Sequence, residues 1–203
     1  MTRTIVTKPN HRPIRVAQEG TIAVTAGEYS SIITKENNED AITANHNADA
    51  TTEGNFSLAM TAGVGANAST KGDSSHAITG SDFSHTSTRG GGSHAITAGY
   101  DAGAITEGEY SHAITAGTAS CAYVKGKNSI ACALGRGTWV RGELGSWLVA
   151  TEWEYSEDAE KYMLRSIATG KVDGEKIKPN RWYKAKNGQL EYDPHHRQMG
   201  CLA

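Results

Sequence analysis

The chain has 203 residues, a formal net charge of -2, 21% charged and 7% aromatic residues, 23 glycines and 4 prolines. This balance excludes the basic footprint of a nucleic-acid binder and the acidity of a DNA mimic, and no apolar run approaches the ~20 residues that carry a helix across a bilayer. Too few large apolar side chains are present for an ordinary core of this length, while the order is too regular for disorder, so a repetitive, thin-cored fold is expected.

The opening segment, MTRTIVTKPNHRPIRV, contains no apolar signal-peptide stretch. Residues 1–20 are expected to act as an N-terminal cap that pairs with or covers the following repeat, because an open sheet edge templates aggregation. Residues 21–137 divide without insertion into thirteen nine-residue units of the form S-x-A-I-T-x-G-x-x, such as SHAITAGYD from Ser93 and SLAMTAGVG from Ser57. The third position is alanine except at Ile32 and Thr86, and the fifth is threonine from Thr25 to Thr115. S-x-A-I-T reads as a short strand with alternating faces, and the glycine-containing remainder as a turn. Stacked strand-plus-turn units predict an all-β fold, a β-solenoid or β-roll.

The sixth position alternates between small and charged residues, with Lys35, Glu53, Lys71, Arg89, Glu107 and Lys125 in alternate units. That period of 18 predicts a coil of two sheets. A triangular coil of three nine-residue units is the alternative, supported by the spacing of 27 between Tyr29, Phe56, Phe83 and Tyr110. Positions two and four include Asp40, Asp49, Asn67 and several histidines, which would be costly to bury unpaired. Positions one, three and five (Ser, Ala and Thr) are therefore assigned to the interior, with their hydroxyls hydrogen-bonded across coils. One outer face is then a solvated charged surface. The other carries Ile42, Leu58, Met60, His76, Ile78, His94, Ile96, His112 and Ile114, an apolar stripe suited to self-association as a dimer or trimer. His76, His94 and His112 recur with the same period of 18, which predicts rings ~5 Å apart on successive coils.

From Ser146 the composition changes. Residues 138–203 are expected to form a small β-rich C-terminal domain, with Asn187-Gly188 as a hairpin turn and DPHHRQMGCLA as a mobile tail. Trp147, Trp153, Trp182 and Tyr183 have the volume to build its core. Trp153, Arg181, Trp182 and Tyr183 are also of the residue types that form binding hot spots. Cys121, Cys132 and Cys201 are an odd count, which argues against a disulfide framework and for a reducing, cytoplasmic setting.

At SHAITAG the chain resembles the left-handed rolls of trimeric autotransporter adhesin heads, whose repeats read S-x-A-I followed by glycine. Its repeats, together with the tail GEKIKPNRWYKAKNGQL from Gly174, resemble the Gly-Thr-Ala-rich solenoid proteins of phages and bacteria that end in a small uncharacterised domain. That resemblance implies a phage or bacterial source and, for a phage protein, the host cytoplasm. The nine-residue period is shared with the calcium-binding repeats-in-toxin roll, but the regular turn aspartate is missing, so calcium is not expected. No catalytic grouping, phosphate loop or dinucleotide fingerprint is present, and no cofactor or metal is expected. The expected function is a non-enzymatic binding protein that oligomerises and engages a host protein, for instance as an inhibitor of a defence system. An oligomeric fibre or adhesin segment is one alternative. Binding of ice or another regular surface through outward threonine rows is another.

Overall fold

The computed structural model describes residues 3–7, 13–194 and 196. Its strands begin with β1 (Arg3–Thr7), β2 (Pro13–Val16), β3 (Thr21–Thr25), β4 (Ser31–Thr34), β5 (Asp40–Thr43), β6 (Ala50–Thr52) and β7 (Leu58–Thr61). They continue with β8 (Ala68–Thr70), β9 (His76–Thr79), β10 (His85–Thr88), β11 (His94–Thr97), β12 (Gly103–Thr106), β13 (His112–Thr115) and β14 (Cys121–Val124). The last are β15 (Ile130–Ala133), β16 (Trp139–Gly142), β17 (Trp147–Ser156), β18 (Lys161–Lys171), β19 (Tyr183–Lys186) and β20 (Gln189–Tyr192). Among the described residues there is no helix, and so none long and apolar enough to cross a membrane.

The odd-numbered strands β1 to β17 form one parallel sheet, here sheet A, and the even-numbered strands β2 to β16 form the other, sheet B. Each strand pairs with the strand two repeat units away, as Ile96 does with Ile78 on one side and Ile114 on the other. The fold is therefore the two-sheet β-solenoid and not the triangular prism. Tyr29 and Phe83 stand at corners leading into sheet B, and Phe56 and Tyr110 at corners leading into sheet A, so their spacing of 27 builds no ladder.

The solenoid also runs past both ends of the recognisable repeat. β1 is in register with β3, and β2 with β4, so residues expected to cap the stack form its first coil. Residues 8–12 of that segment lie outside the described residues. At the other end β16 and β17 stay in parallel register with β14 and β15, and the coil from Ile130 to its partner Trp147 is shorter by one than the others. Antiparallel strands then finish both stacks: β18 pairs with β17, and β19 with β16 and β20. The expected mobile tail lies mostly outside the described residues.

Side chains at positions one, three and five point inward, as the alternation predicts. Ala41, Ala59, Ala77, Ala95 and Ala113 form a fully buried column under sheet A, and Thr43 to Thr115 lie beside it. The serine hydroxyls bridge coils. The N–H groups of Glu39, Ser57, Ser75, Ser93 and Ser111 donate to the Oγ of Ser57, Ser75, Ser93, Ser111 and Ser129, at 3.0–3.2 Å. The threonines depart from expectation. The hydroxyls of Thr34, Thr52, Thr70, Thr79, Thr88, Thr97, Thr106 and Thr115 make no hydrogen bond. Thr43 and Thr61 donate to Ala48 and Ala66 across a turn rather than across coils. What selects threonine here is its β-branched shape in a tight, flat interior.

The turns divide their work between two positions. Position nine takes the left-handed conformation at every unit from Gly20 to Gly137, although it is mostly not glycine: φ is 52° at Tyr29, 56° at Phe56, 49° at Asp101 and 56° at Ala119. Position seven is mostly glycine, for a different reason. A Cβ on Gly108 would stand 2.1 Å from the backbone oxygen of Gly90, one coil away, so this run of coils stacks at its corner without a side chain, while Glu36, Asn45 and Ser81 hold the position elsewhere.

Candidate functional site

In sheet A, positions two and four project away from the core. The register aligns Val6, Val24, Ile42, Met60, Ile78, Ile96, Ile114, Cys132 and Val149 in one column. Beside it runs a second column of Thr4, Ile22, Asp40, Leu58, His76, His94, His112, Ile130 and Trp147. All nine residues expected to form an apolar interface lie on this one face, half-buried or, for His76, exposed. Nine rungs at ~4.8 Å give a length of about 38 Å. Asp40 is the one charged side chain in the two columns. Its carboxyl pKa is raised by burial, an effect opposed by the Leu58 N–H, which donates to Oδ1 at 3.2 Å.

The histidines stand where the repeat predicts. Ring centroids of His76 and His94 are 4.9 Å apart, and those of His94 and His112 are 4.8 Å apart, each pair edge to face. Burial holds the pKa of His94 below the ordinary imidazole value, and the neighbouring His112 and His76 add to the effect. Cys132, further down the other column, is a free thiol whose pKa is pushed up by burial. Among the described residues no group of three or more His, Cys, Asp or Glu is arranged to hold a metal ion.

Sheet B presents a different exterior. Its sixth-position charges pair along the stack: Lys71 with Glu53 at 2.6 Å, Lys125 with Glu107 at 2.8 Å and Arg89 with Glu107 at 3.4 Å. Asp49 Oδ1 accepts the Asn67 backbone N–H at 2.8 Å, and Asn67 Oδ1 accepts that of His85 at 3.1 Å. This half of the face is solvated, as expected. The half nearer the C-terminus is covered, which the repeat did not signal. Trp182 packs on Ile105, Cys121 and Tyr123, with Trp139 at the edge. The Arg141 guanidinium lies 4.4 Å from the Tyr123 ring centroid, and Tyr123 Oη donates to Glu143 at 3.1 Å. Cys121 is disulfide-bonded, against the expectation from the odd cysteine count.

The four aromatic and arginine candidates for partner binding therefore separate. Trp182 and Tyr183 are core residues, 8% and 4% exposed, and offer a partner no surface. The Tyr183 hydroxyl is engaged by Lys178, and its ring packs with Leu148 and Val172. Arg181 is exposed and stacks over Tyr192 at 4.8 Å. Trp153 lies at a corner of the solenoid, its Nε1 donating to the Leu134 carbonyl at 3.1 Å. With Leu134, Arg136 and Tyr162 it lines a hollow of about 340 Å³, where the Arg136 guanidinium sits 4.0 Å from the Tyr162 ring.

One exposed apolar element escaped the sequence reading. β17 and β18 are 10 and 11 residues long, against three to five for the strands of the coils, and they run on past the corner as a hairpin. Its exposed side chains include Tyr155, Tyr162, Met163, Leu164 and Ile167. The signal was available in WEYSEDAEKYML, an acidic turn between two aromatic-rich arms. Comparison of the chain with protein-family models, with curated proteins and with solved structures returns no match.

Proposed function

We propose that this protein is a non-catalytic binding scaffold whose recognition surface is the outer face of sheet A. The observation that carries the reading is the unbroken double column from Thr4 to Val149, almost free of charge and carried by nine paired strands. Soluble proteins rarely expose an apolar patch of several hundred Å² unless something binds it. A rigid sheet also loses little conformational entropy on binding, which favours affinity. The host-protein inhibitor implied by the resemblance to phage solenoids is compatible with such a surface and stays part of the proposal.

The alternatives have less support. Ice or surface binding was tied to outward threonine rows, and Thr25 to Thr115 face inward. A fibre built by end-to-end stacking is disfavoured by the antiparallel strands β18 and β20, which finish both sheets at the C-terminal end.

A photo-crosslinking amino acid placed at Ile96 tests the reading, with the same group at Lys71 on sheet B as the control. Crosslinks to protein from position 96 and not from position 71, in cells producing the chain, are the expected result. Absence of crosslinks from position 96 overturns the assignment of the face.

A further inference from the structure

We infer that the occupant of the sheet A face is a second copy of this chain, and that the column His76, His94 and His112 makes the pairing acid-labile. The inference rests on the reading of that face as a binding surface and names its partner and its regulation.

Three observations single out a second copy. The first is extent. About 38 Å of stack by about 13 Å of strand gives about 500 Å² a copy, so two copies bury about 1,000 Å², the threshold a specific interface clears. The second is charge. The face has one carboxylate, Asp40, and the rest of the two columns is Thr, Ile, Val, Leu, Met, Cys, Trp and His, so it selects an uncharged partner and not a basic or acidic one. The third is period. Ile78, Ile96 and Ile114 form ridges one strand spacing apart. An identical parallel stack carries ridges of the same spacing, so the side chains of the two faces can interdigitate as in packed sheets.

The acid response follows from where the histidines stand. Neighbouring rings are already 4.8–4.9 Å apart in a single copy. Covering them with an apolar face removes the water that solvates an imidazolium, and protonating neighbouring rings places like charges side by side. The free copy therefore binds protons more readily than the paired one. Association is strongest above the histidine pKa and weakens as pH falls through it. The charged groups on flanking elements are Asp40 on β5, Lys71 and Asp73 ahead of β9, Arg89 ahead of β11, Glu107 and Glu109 ahead of β13, Lys125 and Lys127 ahead of β15, and Asp82 and Asp101 after β9 and β11; of these Lys71, Arg89, Glu107 and Lys125 are ion-paired on the sheet B side. Asp73 Oδ1 is already committed to the Gly91 N–H at 2.8 Å. Asp40 is two rungs from His76, too far for an ion pair that would offset the repulsion.

Size-exclusion chromatography with light scattering on the full chain at pH 7.5 and 5.0 tests both parts. The samples are the parent, Ile96→Asp, Met60→Lys and the triple variant His76→Gln/His94→Gln/His112→Gln, with circular dichroism reporting the fold of each. The parent is expected to be a dimer at pH 7.5, with an apparent Kd at least about 100-fold weaker at pH 5.0, given several linked protons. The triple variant is expected to stay dimeric at both values, and Ile96→Asp or Met60→Lys to be a folded monomer. A parent that is monomeric at pH 7.5 overturns the second copy while leaving the face open to a different protein, which the crosslinking from position 96 reads independently. A parent equally dimeric at both pH values, or a triple variant as acid-sensitive as the parent, overturns the histidine switch. A dimer that survives both face substitutions in folded protein overturns its placement on sheet A.

Discussion

The backbone oxygen of Gly54 lies 2.1 Å from the point where a Cβ on Gly72 would stand. The same approach repeats between Gly72 and Gly90 and between Gly90 and Gly108, so one corner of the solenoid is a stack of glycines in backbone contact. Gly72→Ala cannot be accommodated by a side-chain rotation, because the obstacle is main chain. A loss of about 2–4 kcal/mol is expected, through a forced separation of two coils. Gly80 is the control, since a Cβ there meets nothing within 4 Å. Urea melts of Gly72→Ala and Gly80→Ala distinguish the two: the first shifts the midpoint strongly, the second leaves it unchanged or slightly raised.

Position nine makes the opposite prediction. Ala119 holds φ at 56° with a side chain that gains nothing from the conformation. An alanine in this region carries about 1–2 kcal/mol of steric cost, part of which is offset because glycine has more freedom in the unfolded chain. Ala119→Gly is therefore expected to stabilise the protein by about 0.5–1 kcal/mol, read as a higher midpoint with an unchanged slope. A lower midpoint contradicts the assignment of strain to this corner.

These two positions show what was legible in the repeat and what was not. The inside and outside of the coil were readable because Asp40, Asp49, Asn67 and the histidines share a parity that burial forbids, and a period of two leaves no third choice. The two-sheet coil was readable because Lys35, Glu53 and Lys71 sort onto one edge. The left-handed corner was not, since Tyr29, Asn38, Phe56, Ser74 and Ala119 share no side-chain property; it is fixed by the stacking geometry alone. The first and last coils were hidden because RTIVT, PIRV and WVRG keep the alternation while losing every residue of the motif except the threonine at Thr7. The coverage of sheet B depends on Trp182 reaching back to Tyr123, a contact between distant parts of the chain that no local pattern encodes. The outer face of sheet A was legible residue by residue, whereas the projecting β17–β18 hairpin needed the strand lengths.

Glu39 is a further case the repeat concealed. It occupies position one, where most units carry serine, and it is fully buried. Its Oε1 accepts the Gln18 N–H at 2.8 Å, and Oε2 accepts those of Lys35 and Glu36 at 2.8 and 2.7 Å. The carboxylate thus closes a turn and ties it to the preceding coil. Glu39→Gln keeps the shape but turns an NH₂ toward one set of these donors, leaving buried N–H groups unpaired. A loss of about 1–3 kcal/mol is expected, together with faster amide exchange at Lys35 and Glu36 or at Gln18. Unchanged exchange at all three would show that the carboxylate is not what holds this turn.

Asp40 gives a stability change with a definite pH dependence. Its folded-state pKa lies above the ordinary 3.8 because the apolar neighbours of sheet A penalise the charged form, and the Leu58 hydrogen bond only partly compensates. A raised carboxyl pKa means that the folded state binds its proton more tightly than the unfolded chain does, so ionisation costs stability. That cost is fully present above the folded-state pKa and fades to nothing as pH falls below 3.8. Asp40→Asn removes the charge, and its side-chain oxygen can still accept the Leu58 N–H. The variant should unfold at a higher urea concentration than the parent at pH 7, and the gap should close on acidification toward pH 3. A gap that persists unchanged at low pH would assign the effect to packing of the amide and not to the buried charge.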